Sequence, residues 1–184
     1  MNTLRKVLLI SDAFYLLSGG LLGPIYALFV TKIGGDLLDA SSAFALFMLT
    51  AGIVTFLLSI WEDKSKHRRK FVIIGYGIGM LGAIGYLFVN STMTLFIVQI
   101  ILGLAVSVKD PAYDALFSNS QKHLALAWGE WETVDYFALS GGAFFGGLIA
   151  QYLGFQVLLF CMAFLSVVSF ITSMYLLRLK EKDL

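Results

Sequence analysis

FVIIGYGIGMLGAIGYLFV, Phe71 to Val89, is the stretch on which the fold turns. It holds 19 consecutive residues without a charge or a proline, close to the roughly 20 residues that cross a hydrocarbon core as a helix rising 1.5 Å per residue. A barrel strand would instead alternate apolar and polar residues over about 10 positions, and no such alternation is present. Because a bilayer offers the backbone no hydrogen-bond partners, an unbroken helix is the remaining way across. Comparable runs lie at about 7–31, 40–61, 93–117, 128–153 and 155–177. The sequence therefore predicts an all-α, polytopic membrane protein of six transmembrane helices in one domain, 1–184, with cytoplasmic loops at about 62–70 and 118–127. The composition agrees: 59% hydrophobic and 14% charged residues contrast with about 25% charged in soluble domains.

The first run follows Arg5 and Lys6 as a secretory signal would, but it outlasts a signal's apolar core and carries Asp12, so it reads as a retained helix. One cysteine, Cys161, allows no disulfide within the chain, and His67 and His123 fall in polar connections. No metal and no cofactor are assigned. The glycines of GYGIGMLG lie inside a span, where a dinucleotide loop has no place. The intramembrane carboxylates have no accompanying nucleophile and base, so no enzyme activity is expected. The basic loop is too short for a nucleic-acid site.

Six spans place both termini on one side. That side carries Arg5, Lys6, Lys64, Lys66, Arg68, Arg69, Lys70, Lys122, Arg178, Lys180 and Lys182, against Lys32 alone on the other. The positive-inside rule makes the basic side cytoplasmic, in an inner or plasma membrane.

The only two prolines sit in near copies of one phrase, PIYALF at Pro24 and PAYDALF at Pro111. The first copy lies late in an outward helix and the second late in an inward one. Two three-helix units of opposite orientation, about 7–89 and 93–177, would place them so, as a 3+3 inverted repeat. The alternative is chance likeness in apolar sequence. Proline removes a backbone donor and crowds the preceding turn, so Pro24 and Pro111 are expected to act as helix hinges.

Charges inside spans cost about 2.5–3.5 kcal/mol at a helix centre and so face protein or a watery cavity. Asp12 lies in helix 1, while Lys109, Asp110 and Asp114 lie late in helix 4. Together they are expected to form a cytoplasmic gate or a substrate and ion site. Glu130, Glu132 and Asp135 open helix 5, and for Asp114, Glu130 and Glu132 the competing reading is snorkelling to the interface. Adjacent Lys109 and Asp110 point about 100° apart and are expected to find different partners.

With these features in order, the chain resembles the amino-terminal six-helix half of the major facilitator superfamily. The loop SIWEDKSKHRRK, Ser59 to Lys70, resembles the superfamily's signature between helices 2 and 3, with Asp63, Lys64 and Arg68 in its acidic and basic positions and Ser59 and Lys66 where glycines are usual. These three residues are expected to belong to the cytoplasmic gate with Asp114, although topology alone would also place basic residues there. QIILGLAVSVKDPAY resembles the fourth-helix pattern with Gly103 matched, and Gln99 stands where proton-coupled members carry arginine. GAFFGG, Gly142 to Gly147, resembles the antiporter signature of helix 5 with Ala143 in place of its proline. These departures point away from proton antiport. The resemblance implies that helices 1 and 4 line a central cavity, that helices 2 and 5 face the other half, and that helices 3 and 6 lie outside. It puts Asp12, Tyr15, Tyr26, Gln99, Lys109 and Asp110 at or near that cavity, where aromatic groups among few charges suit a small organic, amphipathic solute.

A single half leaves its cavity open to lipid. Two like-oriented copies would close it as a parallel homodimer, helix 2 of one against helix 5 of the other. Helices associate in lipid through small residues, which nominates Ser41, Ala45 and Gly52 on helix 2 and Gly142 and Gly146 on helix 5 as the interface. The competing reading is that the glycines pack within their own bundle. The expected function is secondary transport by alternating access. The alternatives are a membrane partner subunit that carries no solute and the amino-terminal half of a longer transporter, the short charged tail LRLKEKDL favouring a complete small protein.

Overall fold

A computed structural model describes residues 3–62, 67–119 and 123–179, with the backbone alone at positions 61 and 62. Six helices long and apolar enough to cross a membrane make up the described chain. We number them helix 1 (Thr3–Lys32), helix 2 (Leu37–Glu62), helix 3 (Arg68–Phe88), helix 4 (Thr92–Asn119), helix 5 (Leu124–Tyr152) and helix 6 (Phe155–Leu177). The predicted loop at 118–127 is shorter than expected, since helix 4 continues to Asn119 and helix 5 begins at Leu124. His123 precedes the run LALAW, and those good helix formers extend the helix outside its most apolar part.

Local chemistry sets the helix starts. Before helix 2, the Asp39 backbone N–H donates to Asp36 Oδ1 at 2.9 Å and the Asp36 N–H donates to Asp39 Oδ2 at 3.0 Å, a reciprocal cap. Ser91 and Thr94 form a similar exchange at the start of helix 4. The tight return into helix 6 uses Gly154 at φ 87°, a conformation a side chain would resist.

The two prolines have different effects. Pro24 lies in a 3-10 turn, Gly23–Ile25, which interrupts helix 1, whereas helix 4 runs through Pro111 without a break in its assignment. Gly23 further lowers the helical preference beside Pro24. Beyond Pro111, Ala112 and Tyr113 are buried, so packing holds that segment helical.

Helix 1 packs on helices 5 and 6, helix 4 packs on helices 2 and 3, and helices 3 and 6 touch. Exchanging the first three helices with the last three leaves these main contacts unchanged, while the smaller contacts of helix 5 with helix 6 and of helix 1 with helix 2 have no comparable counterpart among the described residues. Glycines allow the closest approaches, as expected where helices associate without a water-driven term. A Cβ on Gly103 would come within 2.8 Å of the Phe47 carbonyl oxygen, and one on Gly142 would come within 2.9 Å of Gly20 Cα. One on Gly146 would strike the Leu21 carbonyl. Gly142 and Gly146 therefore seat helix 5 on helix 1 within the chain, which corrects their assignment to a dimer interface. The four-residue spacing serves either contact, and here the bundle takes it. Ser41, Ala45 and Gly52 remain exposed on helix 2.

Serines tie the helices further: Ser18 donates to the Met162 carbonyl at 2.9 Å, Ser169 to the Ser11 carbonyl at 2.7 Å, and Ser107 to the Ala51 carbonyl at 3.1 Å. Two separate apolar cores result. One gathers Leu8, Val72, Tyr113, Phe117 and Leu176 at the end holding the termini. The other gathers Leu22, Phe29, Val30, Leu95 and Leu158 at the opposite end.

Candidate functional site

Asp12 is 1% exposed, one of the most deeply buried residues of the protein. Its Oδ1 accepts hydrogen bonds from Lys109 Nζ at 2.9 Å and from the Tyr76 hydroxyl at 2.9 Å, and its Oδ2 accepts one from Trp131 Nε1 at 2.8 Å. Helices 3, 4 and 5 thus each send one donor to a single carboxylate on helix 1. Three donors around a buried anion are what its desolvation requires. Lys109 in turn lies 3.0 Å from Asp110 Oδ1 and faces the rings of Tyr15, Tyr76 and Tyr113 at 4.9, 5.3 and 5.3 Å from their centroids. An ammonium enclosed by three ring faces gains from each ring's quadrupole. The expectation that Lys109 and Asp110 would find separate partners is corrected: the flexible lysine stem brings the ammonium to both Asp12 and its own neighbour.

Gly75 makes this possible. A Cβ there would lie 2.6 Å from Lys109 Cβ and 2.8 Å from its Cα and backbone nitrogen, so helix 3 meets helix 4 directly beneath the ion pair. Gly75→Ala is expected to push these helices apart at a cost of about 1–3 kcal/mol. Thermal loss of helical circular dichroism in detergent would register this as a lowered midpoint, whereas the same change at Gly52, where a Cβ meets nothing within 4 Å, should leave it in place.

A cavity of about 330 Å³ is walled by Leu22, Tyr86 and Met162 of the second core and reaches Tyr15 at the edge of the first. Tyr15, Tyr26 and Gln99 line it, so three of the six residues expected at a cavity are there. Asp12, Lys109 and Asp110 do not line it; Tyr15 stands between, one side on the cavity and its ring against Lys109. Within the cavity, Gln99 Nε2 donates to the Tyr26 hydroxyl at 2.7 Å and to the Tyr86 hydroxyl at 3.3 Å. Helices 3 and 6, expected outside, also contribute walls through Gly79, Ala83, Met162 and Ser166.

The expected gate residues are dispersed. Asp114 is exposed one turn beyond Asp110, and Arg68 opens helix 3 half-exposed. Asp63 and Lys64 lie outside the described residues. At the terminus-bearing end Arg5 pairs with Glu130, joining helices 1 and 5, and Arg69 Nη1 donates to the Leu179 carbonyl at 2.6 Å, joining the start of helix 3 to the end of helix 6.

Sequence reading overlooked Tyr76, Trp131, Tyr113 and Tyr86. A usable signal existed for Trp131, whose indole N–H needs a partner when buried and which lies, like Asp12, in the terminus-side part of its helix. The tyrosines gave none, since aromatic residues at helical spacing are ordinarily packing.

Six spanning helices, a central cavity and an ion pair joining the two three-helix sets agree with the finding that the family model described as Major Facilitator Superfamily matches residues 8–184. The chain belongs to the Major Facilitator Superfamily. None of the curated proteins matches it. As a superfamily member with six apolar spans it is an integral membrane protein and a membrane transporter of the major facilitator type. Its ion pair joins helices 1 and 4, the leading helices of the two sets.

Proposed function

We propose that this chain is a half-transporter which moves a small organic solute by alternating access and works as a parallel homodimer, both termini in the cytoplasm of a cell bounded by the inner or plasma membrane in which it sits. The observation that carries the reading is the cavity walled by Tyr15, Tyr26, Tyr86 and Gln99, set into one packed end and reaching the edge of the other. Such a placement lets one end loosen while the other stays sealed, with the interrupted turn at Pro24, whose Gly23 is part of the cavity wall, and the buried pair of Asp12 and Lys109 behind Tyr15 as gate elements.

The uneven cover of the helices supports a mate. Only 6% of the apolar window of helix 2 and 11% of that of helix 5 are buried, against 33–44% for the other four. Those two helices are the ones a second half would cover. Gly142 and Gly146 being spent on helix 1, the contact would rest on Ser41, Ala45 and Gly52 and on the outer face of helix 5, where Phe137 and Phe144 are exposed.

Purified protein in liposomes, offered a panel of radiolabelled uncharged and amphipathic solutes, should show saturable counterflow of at least one. Correctly inserted protein that moves none above protein-free liposomes would remove the transport reading and leave the partner-subunit alternative.

A further inference from the structure

We propose that the cavity selects an uncharged, largely apolar molecule bearing a single hydroxyl, carbonyl or amide group, and that Gln99 is the residue that sets this choice; the inference rests on reading this cavity as the solute site. None of the cavity's lining side chains is charged. The charges nearest to it are already committed, since Asp12 and Lys109 satisfy each other at 2.9 Å and the Tyr15 ring covers the ammonium on the cavity side. A charged ligand would enter with no counter-ion and lose its hydration, a cost far above that of a neutral polar group that finds a hydrogen bond. Much of the remaining polar capacity is spent as well: the Ser18 and Ser166 hydroxyls donate to backbone carbonyls of helix 6 at 2.9 and 2.8 Å.

What is left is the Tyr15 hydroxyl beside Gly79 and, opposite the ion pair, the group at Gln99. Its amide nitrogen gives its hydrogens to Tyr26 and Tyr86, so its carboxamide oxygen is free to accept and each tyrosine hydroxyl retains a proton to donate. A ligand hydroxyl can give to the first and receive from the second within one small patch. Gln99 and Tyr86 are 5% and 4% exposed, so the patch is fixed by packing before any ligand arrives. A buried site built for one hydrogen-bonding group discriminates strongly against analogues that leave it unpaired.

The test uses four photoreactive probes on one alkyl diazirine skeleton, ending in hydroxyl, methyl, ammonium or carboxylate, with the full chain in lipid nanodiscs and labelled peptides read by mass spectrometry. The hydroxyl probe should label cavity peptides about tenfold more than each of the others. Gln99→Glu should invert the order by raising ammonium labelling and lowering hydroxyl labelling, a change that a merely structural role for Gln99 would not produce. Should that variant fail to fold, Tyr26→Phe, which removes one hydroxyl donor, must lower hydroxyl labelling several-fold and leave methyl labelling unchanged. Equal labelling by the methyl probe would mean that acyl chains fill the cavity, and preference for either ion would mean that the neutral lining does not select; each overturns the inference. Selective labelling without counterflow would remove transport and keep the selection, while counterflow of a charged solute would do the reverse.

Discussion

Lys109→Met is expected to destabilise the folded protein by about 3–5 kcal/mol, because it strands a buried carboxylate. Asp12 would keep the Tyr76 and Trp131 hydrogen bonds but lose the one full positive charge that lies 2.9 Å away in a site 1% exposed. Neutralising both partners removes that penalty. The double variant Asp12→Asn, Lys109→Met should therefore recover most of the loss, since replacing a whole buried pair by neutral groups is commonly close to neutral while breaking one is not. Thermal midpoints of the single and double variants in one detergent would show the order. A double variant no more stable than Lys109→Met alone would mean that the lysine contributes through its packing on Gly75 and the tyrosines rather than through charge.

The second large effect is at Gly146. Gly146→Leu places a branched side chain where even a Cβ would strike the Leu21 carbonyl and stand 2.7 Å from Leu21 Cα. Backbone cannot rotate aside as a side chain can, so helices 1 and 5 must separate, at about 3 kcal/mol or more. The adjacent Gly147 is the control: a Cβ there meets nothing within 4 Å, and Gly147→Ala should shift stability by no more than about 0.5 kcal/mol. A Gly146→Leu protein that keeps its thermal midpoint but loses mass as a solubilised particle would restore this glycine to a contact between copies.

The contrast shows where sequence suffices. The six spans were legible because a bilayer demands long apolar helices, and one run without a charge, Phe71 to Val89, already excludes strands. Asp12 and Lys109 stood out because a charge in a span needs a reason. Their partners did not stand out, because which helix supplies a donor depends on how the bundle closes. Trp131 and Tyr76 come from helices 5 and 3, and no spacing within helix 1 points to them. The glycines of helix 5 failed for a related reason: a small-residue stripe says that something approaches closely, not whether it belongs to the same chain. Pro24 and Pro111 looked equivalent as letters, and only their neighbours separate them, Gly23 loosening one turn and buried Tyr113 holding the other. Gln99 stands out in the sequence for what it replaces, whereas its two tyrosine acceptors, one on helix 1 and one on helix 3, emerge only in three dimensions.

The most direct measurement is disulfide cross-linking in native membranes between two differently tagged copies, one carrying Gly52→Cys on helix 2 and the other Phe137→Cys on helix 5, each with Cys161→Ser. Both positions are exposed on the single chain. Like-oriented mates predict a cross-linked species bearing both tags, formed without added partner protein. Absence of that species, with both copies inserted and their cysteines reactive to a small maleimide, would contradict a parallel pair and with it the closed pathway.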